Sequence, residues 1–189
     1  MLFLTPFFYD PVERASKALS EMIYAIGLGM PIFMHAVNII ISLKRDSKAV
    51  AYISLTLSMA IYFFGIAIAY SGFGNDLRVP AHYHGAVTSL TLGLMGLSYH
   101  LIKEFKQKVV GEGIARLQAI IYGVGMLLFI IGLFFAGLLG APRKTYGVGF
   151  AASPIVLSAL TVMGIGTLLA VAGGVLFVFY TMFSLIRKT

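Results

Sequence analysis

The sequence contains no cysteine and little charge. Without cysteine there can be no disulfide, no iron–sulfur cluster and no thiolate nucleophile. Charged residues make up 11% of the 189, against about 25% in a soluble domain. That shortage argues against a soluble enzyme and against a disordered chain. Asp and Glu together number seven, and histidines number four. These groups and a few hydroxyls are nearly the whole chemical inventory. The net charge is +7. In so apolar a chain a basic excess reports topology rather than an acidic partner, so no nucleic-acid partner is expected.

What the chain does have is long apolar runs. Hydrophobic residues make up 59% and the mean hydropathy is +0.94. A bilayer-spanning helix needs about 20 mostly apolar residues. Five stretches qualify, roughly residues 19–43, 50–70, 80–102, 117–139 and 154–186, each bounded by charge, Gly or Pro. The expected fold is all-α, a polytopic membrane protein with five transmembrane helices in one transmembrane domain over residues 1–189. Met1–Ser20 has no basic start before an apolar core and carries Asp10, Pro11, Glu13 and Arg14, so it does not read as a cleavable signal. Its apolar opening, MLFLTPFFY, suits the membrane interface or packing on another subunit.

The basic residues divide unevenly. One side of the membrane receives Arg14, Lys17, Arg78, Arg143 and Lys144. The other receives Lys44, Arg45, Lys48, Lys103, Lys106, Lys108, Arg116, Arg187 and Lys188. The richer side is cytoplasmic, which places the N-terminus outside and the C-terminus inside. The connections before the third and fifth spans then face out.

The most informative segment is Arg78-Val-Pro-Ala-His82-Tyr83-His84-Gly85. Pro80 suits a helix start, so both histidines fall in the first turns of the third span. Residues two apart on a helix point about 200° from each other. One helix cannot therefore bring His82 and His84 to a single metal. As ligands, they would serve two centres on opposite sides. An imidazole within a membrane needs a partner, and haem iron is one. The plain alternative is that both rings bond neighbouring helices at the wet boundary. A second segment, AGLLGAPRKTY over residues 136–146, puts Arg143 and Lys144 on the same expected side. Such cations suit anionic groups, haem propionates among them, or else snorkel to the interface.

These segments resemble subunit I of haem–copper oxygen reductases, especially the B-family ba-type cytochrome oxidases. The family has Val-Pro-x-His-Phe-His followed by an apolar helix rich in Ser, Thr, Leu and Gly, matched by VPAHYHGAVTSLTLGLMG. It then has Ala-Gly-Leu-Leu-x-x-Pro-Arg-Arg-x-Tyr, matched by AGLLGAPRKTY. Met30-Pro31-Ile-Phe-Met-His35 is similar to the family's proline-containing eighth helix. The likeness covers only the last five of the family's core helices.

The resemblance implies that His82 is the proximal ligand of a high-spin, oxygen-binding haem and that His84 is an axial ligand of a low-spin b-type haem. Tyr83 stands for the usual Phe between the two haems. Arg143 and Lys144 would hold propionates, with Arg78 as a further propionate partner. Gly74 and Asn75 stand where relatives often carry residues near an outer metal, which argues against a metal there. The resemblance places copper on a companion chain carrying the N-terminal half of a split subunit I, and the opposite haem ligands with it. His100 lies about 27 Å along the helix from His82, too far to complete those haems, and reads as an idle interfacial residue.

A subunit II-like copper or electron-entry subunit, cytochrome c or quinol as donor, and a prokaryotic cell membrane are also implied. His35 takes the place of a proton-channel residue. Its imidazole could relay protons with help from Ser42 and Thr56, or simply bond Asn38. The expected function is oxygen reduction to water as part of a multi-subunit oxidase. Alternatives are a di-haem electron-transfer subunit without oxygen chemistry, or a haem-free structural or proton-pathway subunit.

Overall fold

A computed structural model describes residues 14–42, 49–72, 74–105, 111–144 and 153–186. The chain divides into two compact units, Met1–Asp46 and Ser47–Thr189. The first contains α1, Arg14–Ser42, with Pro31 inside it. The second contains α2 (Val50–Ala69), α3 (Arg78–Glu104), α4 (Glu112–Leu138) and α5 (Pro154–Ile186). All five helices are long and apolar enough to cross a membrane. The apolar segment MLFLTPFFY lies outside the described residues, as do Lys44, Arg45, Lys48, Lys106, Lys108, Arg187 and Lys188 of the charge count.

In the second unit the extensive interfaces are α4–α5 and α2–α3, and α4 joins the two pairs by packing on α2 and α3. Lipid tails are as apolar as leucine, so helices in a membrane associate through close packing rather than water exclusion. The α4–α5 seam shows how. Gly125 on α4 faces Gly166 and Ala170 on α5, Gly132 faces Ala159 and Met163, and Gly173 on α5 faces Tyr122. A Cβ at Gly125 would lie 2.5 Å from the Ala170 nitrogen, and one at Gly173 would lie 2.7 Å from the Tyr122 nitrogen. Backbone meets backbone along this seam. Gly123 instead faces the side chains of Leu57 and Leu92, while a side chain at Gly164 or Gly174 would meet open space.

A polar clasp ties three helices in the half of the bundle away from the histidine pair. Gln118 on α4 is fully buried. Its Oε1 accepts from the Tyr99 hydroxyl of α3 at 3.0 Å, and its Nε2 donates to the Gly173 carbonyl of α5 at 3.0 Å. At the same end, Lys103 and Glu112 pair at 2.7 Å across the α3–α4 connection. Both are well exposed, so the pair contributes little.

Candidate functional site

The site is built at the end where α3 begins. Asp76 caps that helix. Its Oδ1 accepts from the Arg78 backbone nitrogen at 2.9 Å, satisfying one of the donors a helix start leaves unpaired. The same carboxylate takes the Arg78 guanidinium, with Nε at 3.0 and 3.1 Å and Nη2 at 2.8 Å. Hydrogen bonding from Arg78 holds the Asp76 carboxyl below the usual carboxylate range. Arg78 is thus occupied within its own turn, and its Nη1 reaches back to the Ser71 carbonyl at 3.4 Å.

The Arg143 segment begins as the stop of α4. The Ala141 nitrogen bonds the Ala136 carbonyl at 2.9 Å and the Gly140 nitrogen bonds the Gly137 carbonyl at 3.0 Å. That pattern is a Schellman motif, which places Gly140 at the left-handed position, φ 86°. Ala136 and Ala141 are buried together beneath it, and Pro142 ends the helix. Gly137 is required for another reason: a Cβ there would lie 2.5 Å from the Arg78 nitrogen. The end of α4 therefore abuts the start of α3.

Three bonds complete the join: Leu77 nitrogen to Ala141 carbonyl at 3.1 Å, Arg143 nitrogen to Asn75 carbonyl at 3.3 Å, and Arg143 Nε to Asn75 Oδ1 at 2.8 Å. The two connections expected on one face of the membrane are fastened together. Arg143 keeps its Nη1 and Nη2 donors beyond the Nε bond. Lys144 is exposed, with φ 58°. Tyr146 lies outside the described residues.

One turn into α3 come the histidines. His82 Nδ1 lies 2.9 Å from the Gly65 carbonyl of α2. A carbonyl only accepts, so Nδ1 carries the proton and, in the neutral ring, Nε2 carries the lone pair. His84 turns elsewhere, meeting the Phe129 ring of α4 edge-on with centroids 4.8 Å apart. The two rings are held by different helices, as their spacing requires. Tyr83 lies between them, 60% exposed, its ring 5.7 Å from that of His82. It begins an exposed apolar stripe down α3 through Val87, Leu90, Leu94, Leu97 and Leu101.

Among the described residues no group of three His, Asp or Glu is set to hold a bare metal ion. The His82 ring is oriented as a histidine metal ligand ordinarily is. A histidine ligand ordinarily gives its second N–H to a carbonyl or carboxylate, which fixes the tautomer and ring orientation, and His82 meets that requirement through Gly65.

The remaining candidates are scattered. His100 is exposed on α3, and His35 is exposed on α1. The Thr56 hydroxyl is spent on its own helix, donating to the Tyr52 carbonyl at 2.9 Å, and the Ser42 side chain lies outside the described residues. Asp76 and the Gly65 carbonyl are parts of the site that sequence reasoning missed, and Asn75, read only against an outer metal, proves to hold Arg143. An acid two residues before an arginine at a helix start was a usable signal for Asp76. A backbone acceptor on another helix leaves no trace in sequence.

Comparison with known proteins adds a partial likeness. Over 76 residues the chain is 37% identical to cytochrome c oxidase subunit 1 of Thermus thermophilus, covering 38% of this chain and 14% of that protein. Part of this chain is similar to an oxidase subunit. It is also 34% identical over 136 residues to an uncharacterized protein of Rickettsia prowazekii, covering 66% of this chain. With an uncharacterized protein of Aquifex aeolicus it shares 31% identity over 104 residues, covering 54%. The chain spans about a quarter of the length of these two relatives, 26% of each. No family model matches the chain, and no solved structure matches it.

Proposed function

We propose that this chain is the haem-ligating, C-terminal part of subunit I of a haem–copper oxygen reductase in a prokaryotic cell membrane. The observation that carries the reading is the divergence of His82 and His84: one turn of one helix presents two imidazoles to two different neighbours, and the His82 tautomer suits a metal ligand. The partial identity to an oxidase subunit supports it.

In this reading His82 ligates the high-spin haem and His84 the low-spin b-type haem. Tyr83 stands between them, and the outer cations Arg143 and Lys144 attract propionates. Asn75 steadies Arg143 by taking its Nε, which leaves the two terminal nitrogens for a carboxylate. Arg78 serves instead to fasten the helix start through Asp76. When bound, the haems would supply one-electron chemistry and oxygen binding, and this chain would hold them through the His82 and His84 nitrogens. The copper and the remaining haem ligands would be held by residues outside these 189, on a companion chain. Cytochrome c or quinol is the donor.

The test is the absorption spectrum of the purified intact complex, dithionite-reduced with and without carbon monoxide. The proposal expects two haems, one of which shifts on carbon monoxide. Two haems that both ignore carbon monoxide would mark an electron-transfer subunit, and no haem at all would overturn the assignment of both ligands.

A further inference from the structure

The bond that fixes His82 depends on how close α2 comes to α3, and at the level of the histidine the Gly65–Gly85 contact sets that distance. Gly65, whose carbonyl accepts from Nδ1, packs directly on Gly85, three residues beyond His82. A Cβ at Gly85 would lie 2.6 Å from the Gly65 Cα and 3.3 Å from its nitrogen. A Cβ at Gly65 would lie 2.9 Å from the Gly85 Cα. Real Cβ atoms do not approach backbone so closely, and backbone cannot swing aside as a side chain can. Any side chain at either position must push the helices apart at the level of the histidine.

The α2–α3 seam is also tight at Gly96, three turns beyond Gly85, where a Cβ would lie 2.8 Å from the Ser54 Cβ, but between the two it is more forgiving. A Cβ at Gly93, two turns further along α3, would meet only the Ser58 Oγ, at 3.4 Å. Ser58 itself donates to the Ser89 carbonyl at 2.6 Å and keeps the seam closed there.

We propose that the Gly65–Gly85 crossing is a positioning device for His82, setting the strength of its Nδ1–H bond and thereby its donor strength toward iron. This inference rests on the reading of His82 as a haem ligand. A hydrogen bond at Nδ1 pushes electron density onto Nε2 and raises the basicity of the ligand. Lengthening the bond makes the imidazole a poorer donor, which lowers the iron–histidine stretching frequency and raises the reduction potential of that haem.

The contact distances predict a graded series. In the intact complex, the resonance-Raman iron–histidine frequency should stay at the wild-type value in G93A, fall in G65A and fall further in G85A. Loss of an outer-shell partner weakens metal-site affinity or activity on the order of 10- to 100-fold, so haem retention should fall in the same order. The frequency is read on whatever fraction folds, and G65A is the milder variant if G85A is recovered poorly.

Nitrogen NMR of the His82 ring in the same complex reads the Nδ1–H bond without any haem and should show it weakening in that order. A wild-type frequency in both G65A and G85A, with the NMR signal unmoved, would overturn the proposal. So would an equal shift in all three variants, since that would mean any loosening of the seam has the same effect. A wild-type complex with no haem would refute the ligand reading instead, and the NMR series would still test the crossing.

Discussion

Replacing Gln118 by Met removes the polar hub of the bundle while nearly keeping its volume. The amide is fully buried and bonds two other helices. After the change, the Gly173 carbonyl keeps its place in the α5 ladder, whereas the Tyr99 hydroxyl has lost its acceptor in an apolar interior. An unsatisfied buried group costs about 1–3 kcal/mol, and interhelical bonds in membranes average about 0.6 and reach about 1.7. A near-isosteric swap adds little cavity cost.

Q118M should therefore destabilise the chain by about 1–2 kcal/mol. Y99F should cost a similar amount, because it strands the Gln118 Oε1. The double variant should cost no more than either single one, since neither partner is then left wanting, which gives a coupling of at least about 1 kcal/mol. The assay is reversible unfolding of the full chain in bicelles by a denaturing detergent. Purely additive costs, or a Q118M stability within about 0.3 kcal/mol of wild type, would refute the reasoning.

Three further outcomes follow from the ends of α3 and α4. Gly140 holds φ 86°, so G140A should cost about 1–2 kcal/mol in the same unfolding assay, and G140N distinctly less; equal losses would deny that backbone conformation is the reason. N75A and R143A should each speed amide exchange at Leu77 and Arg143, and the double variant should be no faster than either, because both remove one bond. Asp76 has its carboxyl held below the ordinary range when folded, so its contribution is present above the unfolded value near 4 and is lost as pH falls through the lower folded value. Wild type should thus lose stability more steeply than D76N as pH falls below about 4; parallel pH profiles would contradict that.

The spans were legible because an uninterrupted run of about 20 apolar residues is seldom anything but a membrane-crossing helix. Their edges were less so. α1 begins at Arg14 and α4 at Glu112, each about a turn before the apolar run, because a charged first turn is good helix but poor hydropathy. The divergence of His82 and His84 was also legible, being a consequence of 3.6 residues per turn. The AGLLGAPRK segment was read for its cations, yet most of its residues are there for the backbone: Gly140 for its φ, Gly137 for the neighbouring helix, Pro142 for the stop. Gln118 passed unnoticed although a lone amide inside an apolar span is itself a signal. The Gly65–Gly85 crossing was beyond sequence, since contacts between helices depend on their relative rotation and not on either pattern alone.

The most direct test of the central claim compares haem content in two single variants of the intact complex. With H82A, the haem that binds carbon monoxide should be lost while the low-spin b-type spectrum persists. With H84A, the low-spin spectrum should be lost or become high-spin while carbon monoxide binding persists. Both variants keeping the wild-type spectrum, or both losing the same haem, would contradict the account.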